Sequence, residues 1–320
     1  MPFIELQTLR VHYEQAGSGR NVLVLLHGNF ASTRWWRPLL DSLPAGWRAY
    51  AIDLRGCGRT ESSSSGAASE YTIPRLADDL AGFVERFELP AFHLVGHSLG
   101  GAVALQFALG CPERVRSLTL VAPPPADGLA AMRKGRSRFA AMLRGIDPGS
   151  PASMFALREG YRVQSMLGTN RVVLRRALAT MMPTAAIDAA RFEALLDDAA
   201  RVRPEAVVGF LQALEEWNVE RELEGFDVPT LIVAGGRDAL VATEDLERMS
   251  RRMRSGELLA WPDVGHSPQL ERPEEFVQSL LAWTARSQRG AWRRAMRRFG
   301  ERLAGWSRFT SREGSTPAAS

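Results

Sequence analysis

The chain has 320 residues, of which 45% are hydrophobic and 24% charged, and a formal net charge of +4. Those figures suit a globular protein built as one large α/β domain with an insertion, and no apolar stretch approaches the roughly 20 residues needed to cross a bilayer. Between Arg286 and Glu313 lie nine arginines and two glutamates, so the rest of the chain is slightly acidic and nucleic acid is disfavoured as a partner.

The N-terminus, MPFIELQTLRVHYEQAG, alternates like a strand and lacks the charged-then-apolar layout of a signal peptide, so a cytoplasmic location is expected. Cys57 and Cys111 fall in different loops without CxxC or metal-ligand spacing, and neither a disulfide nor a zinc site is expected. Residues 3 to 15 read as two short strands turning at Thr8-Leu9. Asn21 to Leu26, NVLVLL, is the kind of run buried on both faces of a parallel sheet, and it ends in His27-Gly28-Asn29-Phe30. A loop after a central parallel strand lies where open α/β sheets bind ligands, which places the backbone N–H of Asn29 well to stabilise an anion. Ser32 to Leu43 is a helix candidate with Ser32 or Thr33 as N-cap. A strand at Arg48 to Leu54 follows, then a turn and a Ser-rich loop, Ser62 to Ser65, expected to be mobile. Pro74 opens a helix over 73 to 88.

Phe92 to Leu109, FHLVGHSLGGAVALQFAL, is the most informative stretch. A short apolar strand runs into Gly96-His97-Ser98-Leu99-Gly100, and a helix begins at the serine. Glycines on either side of Ser98 are what a sharp strand-to-helix turn requires, since the turn lifts the hydroxyl clear of the strand. The amide of Leu99, at the positive end of the helix dipole, then faces any negative charge that develops beside Ser98. Arg116 to Ala122 is the next strand. From Pro123 to about Gly225 no strand-like run appears, and breaks at Gly145 to Pro151, Gly168 and Pro183 divide the segment into four or more helices. Strands at Thr230 to Ala234 and Glu257 to Trp261 flank a helix near 242 to 254, and a last helix begins around Pro273.

Ser98, Asp238 and His266 each stand just past the end of a parallel strand and so share one edge of the sheet. A serine hydroxyl needs an imidazole to take its proton, and the imidazole needs a carboxylate to fix its tautomer. Asp53 and Asp263 compete with Asp238 for the last role. His27 and His97 flank the site as packing residues, and His12 and His93 read as incidental.

LLHGN at 25–29, DLRGCGRT at 53–60, VGHSLGG at 95–101, VAGGRD at 233–238 and PDVGHSPQLERPEEF at 262–276 together resemble the α/β-hydrolase fold superfamily over roughly residues 3 to 285. The resemblance implies a doubly wound, mostly parallel sheet formed by 1–122 and 226–288, with a helical cap inserted at 123–225. It implies Ser98 as nucleophile, His266 as base, Asp238 as acid, the amides of Asn29 and Leu99 as oxyanion donors, and no metal or organic cofactor. Serine at position 98 disfavours dehalogenase and epoxide hydrolase chemistry, for which the family uses Asp. Ester hydrolysis on a small, apolar, ester-like substrate is the leading expectation. Cleavage of a C–C bond in a vinylogous diketone comes second, because Ser267 stands where such hydrolases tend to have Trp; a non-catalytic ligand-binding role is the third. The tail at 289–320 lies outside the resemblance. Trp292, Met296, Phe299, Leu303 and Trp306 would form one stripe of a basic amphipathic helix, suited to an anionic membrane surface or to packing on the body or a second subunit.

Overall fold

A computed structural model describes residues 2–61, 67–130 and 144–289. The Ser-rich loop and the basic tail beyond Arg289 therefore lie outside the described residues. The strands are β1 (Phe3–Glu5), β2 (Arg10–Gly17), β3 (Asn21–Leu26), β4 (Trp47–Ile52), β5 (Phe92–His97), β6 (Val115–Val121), β7 (Thr230–Gly235) and β8 (Gly256–Trp261). They form one sheet in the order β1-β2-β4-β3-β5-β6-β7-β8. The β1–β2 and β2–β4 pairs are antiparallel and the remaining pairs parallel.

Period-two alternation explains why NVLVLL is apolar throughout. Val22, Val24 and Leu26 pack into the cluster on one face, and Leu23 and Leu25 into the cluster on the other. On the first face lie α2 (Ile73–Arg86), α3 (Leu99–Gly110) and α8 (Thr243–Arg252), through residues such as Phe83, Val103 and Met249. On the second lie α1 (Arg37–Asp41) and α10 (273–289), through Leu39, Leu40, Phe276, Leu280 and Trp283. Strand order reverses at β3, whose neighbours β4 and β5 diverge in sequence. The crevice at the carboxyl ends of β3 and β5 is thus the topological switch point, where such sheets place ligands.

Between β6 and β7 four helices lie wholly within the described residues: α4 (Pro151–Met166), α5 (Asn170–Met181), α6 (Ala189–Arg201) and α7 (Pro204–Glu216). Leu174, Leu178, Leu195, Leu196 and Ala199 close over Ala31 and Trp35, just after β3, and over Leu270. Phe210 packs edge-on against Tyr71 with ring centres 5.5 Å apart.

Two helices differ from their sequence expectations. The segment expected as one helix from Ser32 begins as a 3-10 turn, Thr33–Trp36, before α1, because Pro38 has no N–H to continue the first turn. A four-residue helix, α9 (Pro268–Glu271), precedes the helix expected at Pro273; Pro273 excludes the helical conformation at Arg272 and separates the two. Among the described residues no helix is long and apolar enough to cross a membrane.

Candidate active site

The turn after β5 is tight enough to dictate its glycines. A Cβ on Gly96 would lie 2.2 Å from the carbonyl oxygen of Gly100, and one on Gly100 would lie 2.4 Å from that of His27. Ser98 itself adopts φ 50 and ψ −122, the conformation of the first central residue of a type II′ turn, which favours glycine. Its amide donates to the Val121 carbonyl at 2.9 Å and its carbonyl accepts from Gly101 N at 2.7 Å, so β6 and α3 hold the strained residue. Leu99 is the first residue of α3, where backbone N–H groups have no acceptor within the helix.

The loop after β3 comes directly against this turn. A Cβ on Gly28 would lie 3.0 Å from Ser98 Cβ and 2.9 Å from His97 Nδ1. His27 is fully buried: its Nε2 accepts from Leu54 N at 3.0 Å and its Nδ1 donates to the Gly28 carbonyl at 2.7 Å. Burial holds its imidazole below the usual pKa, in the neutral form this pairing requires. The Phe30 amide donates to Asn29 Oδ1 at 2.8 Å, with Phe30 at φ 57, so that amide is already committed while Asn29 N–H belongs to the same turn beside Ser98.

The structure brings Asp238 and His266 together. His266 Nδ1 donates to Asp238 Oδ2 at 2.7 Å, and both side chains are almost fully buried. The other carboxylate oxygen accepts from Leu240 N at 2.7 Å and Val241 N at 3.1 Å, which fixes the carboxylate plane. With Nδ1 committed as donor, Nε2 of the neutral ring is the basic nitrogen, and it is buried with no hydrogen-bond partner among the described residues. Among the described residues the Ser98 hydroxyl, just past the end of β5, makes no hydrogen bond to His266; catalytic bonds of this kind often tighten only with substrate. His97 donates from Nε2 to the His266 carbonyl at 2.9 Å and stacks on Trp35 at 5.3 Å; burial first, and His266 second, push its pKa well below the ordinary value.

The rival carboxylates have other partners. Asp53 accepts from His12 Nδ1 at 2.7 Å, Thr33 N at 2.7 Å and Arg59 N at 2.9 Å, binding β2, the loop after β3 and the turn after β4 together. Asp263 is half exposed and pairs with Arg272. His12 and His93, read as incidental, are both buried and bonded; His93 Nδ1 lies 2.7 Å from Ser117 Oγ, and its Nε2 lies 2.8 Å from Gln288 Nε2. No spacing rule could have shown this, since each partner is a single residue far along the chain. Glu271 and Asp198 were also missed. Asp198 on α6 accepts from Ser32 Oγ at 2.6 Å and Arg34 at 3.0 Å, tying the inserted helices to the loop after β3.

A family model described as the alpha/beta hydrolase fold matches residues 21–273. The pimeloyl-[acyl-carrier protein] methyl ester esterase of Aeromonas hydrophila is 29% identical over 282 residues, 85% of this chain and 98% of the relative. A 2-hydroxy-6-oxononadienedioate/2-hydroxy-6-oxononatrienedioate hydrolase of Klebsiella pneumoniae is 27% identical over 292 residues, 88% and 93% of the two chains. Among solved structures, the esterase EaEST of Exiguobacterium antarcticum superposes with a TM-score of 0.69 at 21% identity, covering 88% of this chain and 98% of its own.

Proposed function

Because the chain belongs to the α/β-hydrolase fold family, we propose that it is a serine hydrolase that cleaves a carboxylic ester through an acyl-enzyme. The observation that carries this reading is the buried Asp238–His266 pair, with its unpartnered Nε2 on the same sheet edge as the strained Ser98. His266 Nε2 takes the Ser98 proton as Oγ attacks the ester carbonyl carbon. The resulting oxyanion accepts from the amides of Asn29 and Leu99, each donor of this kind contributing on the order of 10²- to 10³-fold in rate. His266 then gives the proton to the departing alkoxide, and a water activated by the same nitrogen releases the acid and restores Ser98. Asp238 stabilises the imidazolium in both halves and needs no proton of its own.

The segment 123–225 acts in this proposal as a cap, since α5 and α6 close over the loop after β3. A site roofed in this way takes a small or moderate substrate, apolar near its carbonyl. Rapid labelling of wild type but not Ser98→Ala by a fluorophosphonate, with hydrolysis of p-nitrophenyl esters of graded chain length, is the expected result. An unlabelled Ser98 would favour a ligand-binding protein instead. The similarity to the Klebsiella hydrolase supports a second reading, C–C cleavage of a vinylogous diketone by the same residues, and faster turnover of such a diketone than of any ester would select it.

A further inference from the structure

The short α9 brings the carboxylate of Glu271, 5% exposed, underneath the loop that carries His266. Oε2 accepts from Gly265 N at 3.0 Å and Oε1 from Ser267 N at 3.1 Å, so one side chain binds the amides on both sides of His266. The same Oε2 accepts from Thr184 Oγ1 at 2.7 Å and Thr184 N at 3.2 Å, in the segment between α5 and α6. The amide of His266 itself donates to the carbonyl of Met181, the last residue of α5, at 2.8 Å. Three consecutive main-chain donors thus end on Glu271, on the inserted helices and on Glu271 again.

A buried anion that accepts four donors supplies charge-assisted bonds, each stronger than a neutral one, and removing it would leave those donors unpaired in an apolar surrounding. We propose that Glu271 is a positioning residue: it sets the main chain of His266 and latches the inserted helices to it, so that docking of the helices and aim of the imidazole are a single event. This rests on the reading of His266 as the base. Glutamine at 271 would keep the volume yet turn an NH₂ toward either Ser267 N or the Gly265 and Thr184 donors, so neither orientation restores the set. The loop would then settle differently, and displacements on the order of 1 Å lower rates by about 100-fold.

The test uses the full chain and two readouts. For Glu271→Gln we expect kcat on a p-nitrophenyl ester to fall by about 10- to 100-fold with KM changed less than threefold. Thr184→Val, which removes one bond and leaves the carboxylate in place, should give a smaller, few-fold fall in kcat. The second readout is the rate of Ser98 phosphonylation by excess fluorophosphonate, measured in wild type, Glu271→Gln, His266→Ala and the double variant. If Glu271 acts through His266, Glu271→Gln slows labelling at least tenfold in wild type but less than twofold in His266→Ala. Equal slowing in both backgrounds, or a wild-type kcat in Glu271→Gln, would overturn the proposal. If Glu271→Gln does not fold, Thr184→Val and Thr184→Val/His266→Ala form the same cycle, and an additive result there overturns it. Absence of Ser98 labelling in wild type would instead be a failure of the triad reading, which keeps the two apart.

Discussion

Replacing Ser98 by alanine or by glycine abolishes the same hydroxyl but should leave the two variants with different stabilities. At φ 50 and ψ −122 any residue with a Cβ is strained, and such positions cost on the order of 1–3 kcal/mol. Ser98→Ala keeps the Cβ and hence the strain. Ser98→Gly releases it and loses about 0.4–1 kcal/mol to the greater freedom of glycine in the unfolded chain. Because Ser98 is partly exposed, the packing lost with its Cβ is small. The glycine variant should therefore be more stable than the alanine variant by about 0.5–2 kcal/mol, or a few degrees in Tm at about 2–4 °C per kcal/mol. Urea midpoints and calorimetry on both variants measure the difference, and both should lose activity on the order of a million-fold in kcat. An alanine variant as stable as the glycine variant would mean that the turn stores no strain at Ser98 and would refute the elbow geometry.

Asp238→Asn should lower kcat about 10⁴-fold by disturbing the His266 tautomer, whereas Asp263→Asn, exposed and paired with Arg272, should stay within about twofold of wild type. The reverse pattern would reassign the acid. His93, whose pKa burial and then Arg116 depress to about 4, stays neutral in the fold while the unfolded chain takes up a proton below about pH 6.5. Stability should accordingly fall as pH drops from about 6.5 to 4, by up to about 3 kcal/mol from this residue, and His93→Gln should flatten the Tm–pH curve; an unchanged slope would refute this. For the basic tail we expect the full chain to pellet with anionic vesicles at low salt and a chain ending at Gln288 to remain in solution. Equal pelleting of the two would remove the tail from membrane association.

The parts of the site that were legible in the sequence are those whose chemistry or sterics demand a residue type. Gly96 and Gly100 could be read because a Cβ at either would lie 2.2 or 2.4 Å from a backbone oxygen, a distance no other residue tolerates. β3 and β5 could be read because burial on both faces selects apolar residues, Val22 to Leu26 in β3 and Phe92, Leu94 and Val95 in β5. Asp238 and His266 could be read because each stands just past the end of a parallel strand, β7 and β8 respectively, and the fold then delivers both to one edge. The groups that hold these residues follow no such rule. Glu271 binds main-chain amides, which every residue but proline owns, and its contact with Thr184 spans 87 positions. Met181 enters through its carbonyl, so its side chain carries no signal at all.

This division has a consequence for where substitutions should be felt. Residues that react are few, and a change at any of them removes the chemistry while leaving the fold. Residues that aim them use bonds any backbone can offer, and a change at one of them alters the geometry of the reacting groups while leaving those groups in place. In this chain the aiming bonds of His266 run to two places, Glu271 and His97 in the core and Met181 in the inserted helices. Substitutions that loosen α5 should therefore lower kcat without touching Ser98, Asp238 or His266, because under the proposed mechanism the inserted helices carry part of the geometry of the base as well as covering the site.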